Sequence, residues 1–397
     1  MISSPHIPIV HTLILALSLF GLVAAPTSAA DRASSQPGAA GYIIVLRDDV
    51  PSAAAANTAA DVGRANGLAV DQVYDVVLKG FAARVPDRAL ARLRRDPRVA
   101  SVQPDLPVHA ASQILPTGVD RIGADARTEG TPPTQAGRPV AVIDTGIDPK
   151  HPDLNVKGGY NCTSKDHKHW ADGSGHGTHV AGIIGAKNNG RGVVGVAPGT
   201  PLYAVKVLAD NDEGRWSWVI CGLNWAAKAG LTVANMSLDG PSNEDPSRCT
   251  NSALHQAICN ATDRGLRIAV AAGNNSRDAT LYAPAMYPEV TTVSALSDSD
   301  GCAGGLGPPI QGDPDDSLAS FSNDGSAVDV AAPGVGIRST WKNGGYKTLS
   351  GTSMAAPHVA AAIALGWDGQ KDPGPIPGDS DGFDEGIIRL SANTACT

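Results

Sequence analysis

Between residues 140 and 296 the chain repeats one pattern: a short unbroken apolar run that stops on a small or polar residue, then a helical segment. The runs are 140–143, 202–208, 232–236, 267–271 and 290–296; the intervening helices are read at 180–185, 216–229 and 253–264. Apolarity without alternation is what a strand needs when both of its faces are buried. The pattern therefore predicts an α/β fold in which a mostly parallel sheet lies between layers of helices. Such sheets gather their ligands beyond the carboxyl ends of the strands. Asp144, Ser237 and Asn274 all fall just past a strand end.

The first hundred residues read differently. Residues 12–25 are almost wholly apolar and are followed by Pro26-Thr27-Ser28-Ala29-Ala30, the pattern of a cleaved export signal. The run is short for a membrane span, and an uncleaved anchor is the competing reading. A small polar linker follows to residue 40. Strands at 41–46, 73–77, 81–85 and 99–102, with helices at 53–69 and from Pro86-Asp87 onward, give the order β-α-β-β-α-β, a ferredoxin-like α+β module. A net charge of −8 with no basic patch argues against a nucleic-acid partner. The six cysteines (162, 221, 249, 259, 302 and 396) are an even set in an exported chain, and they allow fifteen ways of forming three disulfides. Cys249 with Cys259 and Cys302 with Cys396 are the pairings suggested by position.

Three blocks carry chemistry. Val142-Ile143-Asp144-Thr145-Gly146 sets a carboxylate at a strand end. His176-Gly177-Thr178-His179 sets an imidazole before a helix. Gly351-Thr352-Ser353-Met354-Ala355-Ala356-Pro357-His358 sets a hydroxyl at the start of another apolar segment. A serine is a poor nucleophile until a histidine accepts its proton and an acid holds that histidine. The order Asp…His…Ser is one of three unrelated orders in which this arrangement occurs. A competing reading pairs His176 with His179 as metal ligands, with His167 and His169 upstream, in a metal hydrolase.

With these blocks the chain resembles the subtilisin-like serine proteases, of the subtilisin and proteinase K type, over residues 112–365. The resemblance implies Asp144 as the orienting acid, His176 as general base and acid, and Ser353 as nucleophile. Val270-Ala271-Ala272-Gly273-Asn274 resembles the family's oxyanion segment, which makes Asn274 the amide donor. Substrate backbone is expected to pair with Gly214, Arg215 and Trp216 on one side and with Ser237, Leu238, Asp239 and Gly240 on the other. Asp239 stands where glycine is usual; at the edge of the primary pocket its carboxylate would favour a basic or polar residue or else face solvent, and solvent is the expectation, while Trp216 implies a hydrophobic fourth subsite.

With the export signal at 1–30, the resemblance further implies a propeptide at 31–111 serving as chaperone and inhibitor, and a catalytic domain at 112–397. Self-cleavage near Ala111-Ser112 would leave alanine in the first pocket and Val108 in the fourth, which implies a broad preference for small to apolar residues. A structural calcium site is implied at Gln113, Asp153, Lys187, Asn189, Arg191 and Val193. The expected product is a secreted, monomeric endopeptidase acting on proteins and peptides, with no stable membrane association. A catalytically silent binding protein on the same fold is the alternative. The tail after Leu365 and Ala361, where glycine is usual, depart from the family pattern and imply looser packing behind the serine.

Overall fold

The computed structural model describes residues 39–105, 113–124, 135–372 and 374–390. The export signal, the Ala111-Ser112 junction and Cys396 lie outside the described residues. The chain divides into two compact units, residues 1–109 and 110–397.

In the smaller unit, strands Ala39–Leu46, Val70–Tyr74, Gly80–Pro86 and Val99–Pro104 form a four-stranded antiparallel sheet, with helices Ala55–Asn66 and Asp87–Leu93. Ile44, Phe81, Val85 and Leu93 form its core with Ala59 and Val62 of the first helix. The expected order holds. The expected strand through residue 77 does not. Pairing stops where Tyr74 meets Gly80, so Val76 and Val77 fall in the connection and are 89% and 95% exposed.

The larger unit is built on a ten-stranded sheet. Its central strands Val330–Pro333, Thr291–Ser297, Arg267–Ala271, Val233–Met236, Val140–Asp144, Leu202–Lys206 and Val156–Asn161 lie side by side in that order, all parallel. Successive side chains of a strand point to opposite faces, and strand Val140–Asp144 follows this rule. Val140 and Val142 enter one core, together with helices His176–Gly185 and Thr352–Leu365. Ala141 and Ile143 enter a second core, with helices Trp216–Lys228 and Ala253–Thr262.

The tail does not loosen the packing. Ala361 is fully buried in the first core, and Trp367 packs there while its indole N–H donates to the Gln370 carbonyl at 2.8 Å. Lys371–Asp372 and Ile387–Ile388 then extend the sheet edge, Ile387 pairing with Ala331. Cys249 is bonded to Cys259 as position suggested, and Cys162 to Cys221. Cys302 is also disulfide-bonded.

Candidate active site

Asp144 ends its strand fully buried. Its Oδ1 accepts from the Thr145 backbone N–H at 2.6 Å and from His176 Nδ1 at 2.8 Å. His176 opens helix His176–Gly185, whose start is held by a residue that sequence reasoning missed. The buried Asp172 accepts from Ser174 N and Gly175 N through Oδ1, and from Thr178 N and Thr178 Oγ1 through Oδ2. A carboxylate at a helix N-terminus satisfies free N–H groups and complements the helix dipole. Gly177 is required next to the histidine. A Cβ there would lie 2.2 Å from the Gly146 carbonyl oxygen and 3.0 Å from Asp144 Oδ1.

The His176 side chain is 21% exposed. Burial pulls its pKa down, but the charge and hydrogen bond of Asp144, helped by the charges of Asp212 and Asp172, outweigh that and push it up to about 8. With Nδ1 bonded to Asp144, Nε2 is the nitrogen left for proton exchange.

Ser353 is the second residue of helix Thr352–Leu365. In an α-helix its carbonyl would accept from the N–H four residues on, but that residue is Pro357, which has none. Ser237 supplies the missing donor: its Oγ bonds the Ser353 carbonyl at 2.8 Å and itself accepts from Asn235 Nδ2 at 2.9 Å. Ser353 Oγ in turn donates to the Ser237 carbonyl at 3.4 Å. Asn274 is oriented by its oxygen, which accepts from Thr352 N at 2.8 Å and Thr352 Oγ1 at 3.0 Å. Among the described residues, Nδ2 has no acceptor. A Cβ placed on Gly351 would be 3.6 Å from Asn274 Oδ1 and 3.7 Å from both Asn274 Nδ2 and Ser353 N, so the Asn274 amide lies beside the start of the serine helix.

His176 and Ser237 line a cleft of about 600 Å³, with Leu208, Asp212, Glu213, Gly214, Arg215, Trp216, Val219, Leu238, Asp239 and Gly240. Trp216 walls it beside Gly240, where a Cβ would come within 2.7 Å of the indole. The Arg215 guanidinium lies 5.7 Å from the Trp218 ring centroid. The expected acid and base and both cleft segments meet at the carboxyl ends of central strands. Ser353 joins them through Ser237, whose carbonyl accepts from its Oγ, and Asn274 joins them through Thr352.

Residues 135–375, well over half the chain, match the model of the Subtilase family. The chain belongs to the subtilase family. Residues 41–111 match the peptidase inhibitor I9 model, the domain found here as the smaller unit's α+β module. Subtilisin amylosacchariticus of Bacillus subtilis subsp. amylosacchariticus is 38% identical over 358 residues, covering 89% of this subtilase and 87% of its own length. Subtilisin of Bacillus pumilus is 43% identical over 258 residues, covering 64% and 85%. A crystal structure of a cold adapted subtilisin-like serine proteinase superposes with a TM-score of 0.52 at 36% identity, covering 64% of this chain and 85% of that one. This subtilase is a serine endopeptidase with an I9-type propeptide domain.

The four histidines of the competing metal reading do not converge. His179 Nε2 bonds the Lys347 carbonyl, and burial pushes its pKa down to about 3. His167 Nδ1 meets the Asn161 carbonyl with its ring stacked on Tyr160, and His169 pairs with Asp166. Among the described residues, none of these belongs to a cluster close enough to share an ion.

The residues expected around calcium do come together. Gln113 Nε2 lies 2.6 Å from the Lys187 carbonyl oxygen and 3.2 Å from that of Val193. Asp153, fully buried, accepts from Asn189 Nδ2 at 2.9 Å, Val193 N at 3.4 Å and Tyr346 OH at 2.6 Å. Asn189 Oδ1 accepts from Arg191 N at 3.1 Å. Carboxylate, amide and carbonyl groups of the kinds calcium takes thus share one loop, with the Gln113 and Asn189 amides turning nitrogen rather than oxygen toward the carbonyls and Asp153.

Proposed function

We propose that the protein is a secreted endopeptidase made as a zymogen, in which Asp144, His176 and Ser353 act as a triad and Asn274 completes the oxyanion hole. The observation that carries this is the 2.8 Å bond from His176 Nδ1 to buried Asp144, since it fixes the tautomer that leaves Nε2 as base. Ser353 Oγ attacks the substrate carbonyl carbon as Nε2 takes the Oγ proton. The carbonyl oxygen becomes an oxyanion that accepts from Asn274 Nδ2 and Ser353 N. His176 then returns the proton to the leaving amine, and the C–N bond breaks to leave an acyl-serine. Water attacks this ester, giving its proton to Nε2, and Ser353 leaves with a proton from the imidazolium.

Substrate backbone lies between Gly214-Arg215-Trp216 and Ser237-Leu238-Asp239-Gly240, adding a strand to each. Residues 1–30 are removed on export; residues 31–111 assist folding and inhibit until self-cleavage near Ala111-Ser112 releases residues 112–397. Gln113, Asp153 and Asn189 side chains with the carbonyls of Lys187, Arg191 and Val193 would hold calcium. The ion supplies stability, and the chemistry needs none. The test pairs N-terminal sequencing of the mature product with labelling by a serine-directed phosphonyl reagent. A terminus at Ser112 and labelling lost in Ser353→Ala are expected. A terminus far from Ser112, or labelling that persists in the variant, overturns the reading.

A further inference from the structure

The cleft carries charges that the peptide chemistry does not use. Asp212, Glu213 and Asp239 line it, against Arg215 and His176. Asp212 sits near enough to His176 to act on its proton, and Glu213 accepts from Asn211 Nδ2 at 2.9 Å. Asp239 has no such employment. It is open to solvent on one side, the cleft desolvates it on the other and pushes its carboxyl up, and among the described residues no neighbouring cation or hydrogen bond offsets that push. An unpaired carboxylate facing a cleft is a site for a cation supplied from outside.

Its position says which part of a substrate would bring that cation. Asp239 Oδ2 lies 3.4 Å from the point where a Gly273 Cβ would stand, and Gly273 directly precedes Asn274. Asp239 is also two residues from Ser237, whose carbonyl meets Ser353 Oγ. The carboxylate thus bridges the segments that hold the nucleophile and the oxyanion donor. A carbonyl under attack lies between those two groups, so the side chain on the Cα bonded to it falls beside the same two segments. We propose that Asp239 makes this pocket select lysine or arginine as the residue contributing the scissile carbonyl. This rests on the protease reading above. The aliphatic stem of such a side chain would cover apolar Leu238 while its charged end reaches Asp239. Alanine at the self-cleavage site is compatible, because a tethered substrate reacts at high effective concentration and needs no help from the pocket.

The experiment uses the mature enzyme, its active sites counted by phosphonyl labelling, on peptides differing only at the residue before the cut: arginine, lysine, leucine or alanine. The wild type is expected to turn over arginine and lysine peptides with kcat/KM at least about tenfold above leucine. Asp239→Asn, which keeps the shape and removes the charge, is expected to lower the arginine-to-leucine ratio by about tenfold, and Asp239→Glu to retain it. Raising salt from about 0.05 M to about 1 M should shrink the wild-type ratio, as screening of a charge pair requires. Labelled, active enzyme that favours leucine, or a ratio unmoved in Asp239→Asn, overturns this proposal alone. Absence of both labelling and turnover overturns the protease reading and this proposal with it.

Discussion

Ser237 Oγ replaces the helix donor that Pro357 cannot give, and its removal can be measured. Ser237→Ala strips two groups of a partner at once: the part-buried Ser353 carbonyl and the buried Asn235 Nδ2. Asn235 is fully buried and its Oδ1 already lacks a partner, so it has little with which to compensate. Each orphaned group costs about 1–3 kcal/mol, and the expected loss is about 2–4 kcal/mol after local relaxation. Pro357→Ala returns an N–H to the helix, in register for the Ser353 carbonyl. In that background Ser237→Ala orphans only Asn235 and should cost about 1–2 kcal/mol. The double-mutant cycle should therefore show a coupling of about 1–2 kcal/mol. The measurement is guanidinium unfolding in a Ser353→Ala background, which prevents self-digestion and keeps the carbonyl. All six tryptophans (170, 216, 218, 225, 341 and 367) lie in the larger unit, so their fluorescence follows that unit and midpoints compare directly if the slope is constant. Equal costs of Ser237→Ala in both backgrounds, within about 0.5 kcal/mol, would refute the substitution of one donor for another.

Further outcomes follow from groups in and beside the site. His176 must be neutral to accept a proton and its pKa is pushed up to about 8, so kcat/KM should rise with pH to a plateau above that value. Asp144→Asn should move the midpoint down, because Asp144 supplies the main upward push, and lower kcat by about 10⁴; a midpoint unmoved by that change would be the contrary result. The same raised pKa implies that the imidazolium stabilises the fold fully below about 6.5 and that this contribution, about 2 kcal/mol, is lost as pH rises through 8. For the loop at 187–193, chelation should lower Tm, since calcium at a thousand times its Kd contributes about 4 kcal/mol. Asp153→Asn should blunt the calcium dependence of Tm, and a wild-type Tm indifferent to chelator would count against the site.

Much of the chemistry was legible because short motifs place a named group at a named end of an element. Asp144, His176 and Ser353 could be assigned an order and a role, and Cys249 with Cys259 a bond. What stayed hidden were contacts between residues far apart in sequence. Asp172 gave only the faint signal of an acidic residue ahead of small residues and a helix. The Ser237 hydroxyl looked like part of a peptide-binding strand until the Ser353 carbonyl was seen above it. The tail illustrates a different limit. Residues 366–390 lack a strong period, and their two short strands form because a sheet edge is there to receive them. Val76 and Val77 read as strand by composition, yet register with Gly80 ends the pairing before them.

The division of the sheet into two cores bears on how such an enzyme can change. The helices that carry His176 and Ser353 are rooted in one core, whereas the cleft-wall residues Leu208, Val219 and Leu238 are rooted in the other. Repacking behind the wall can reshape what the cleft admits while the proton-transfer groups keep their own foundation. Taste and chemistry stand on separate footings, joined at strand Val140–Asp144, so new preferences can be explored across one face of the sheet while the other face holds the reaction constant.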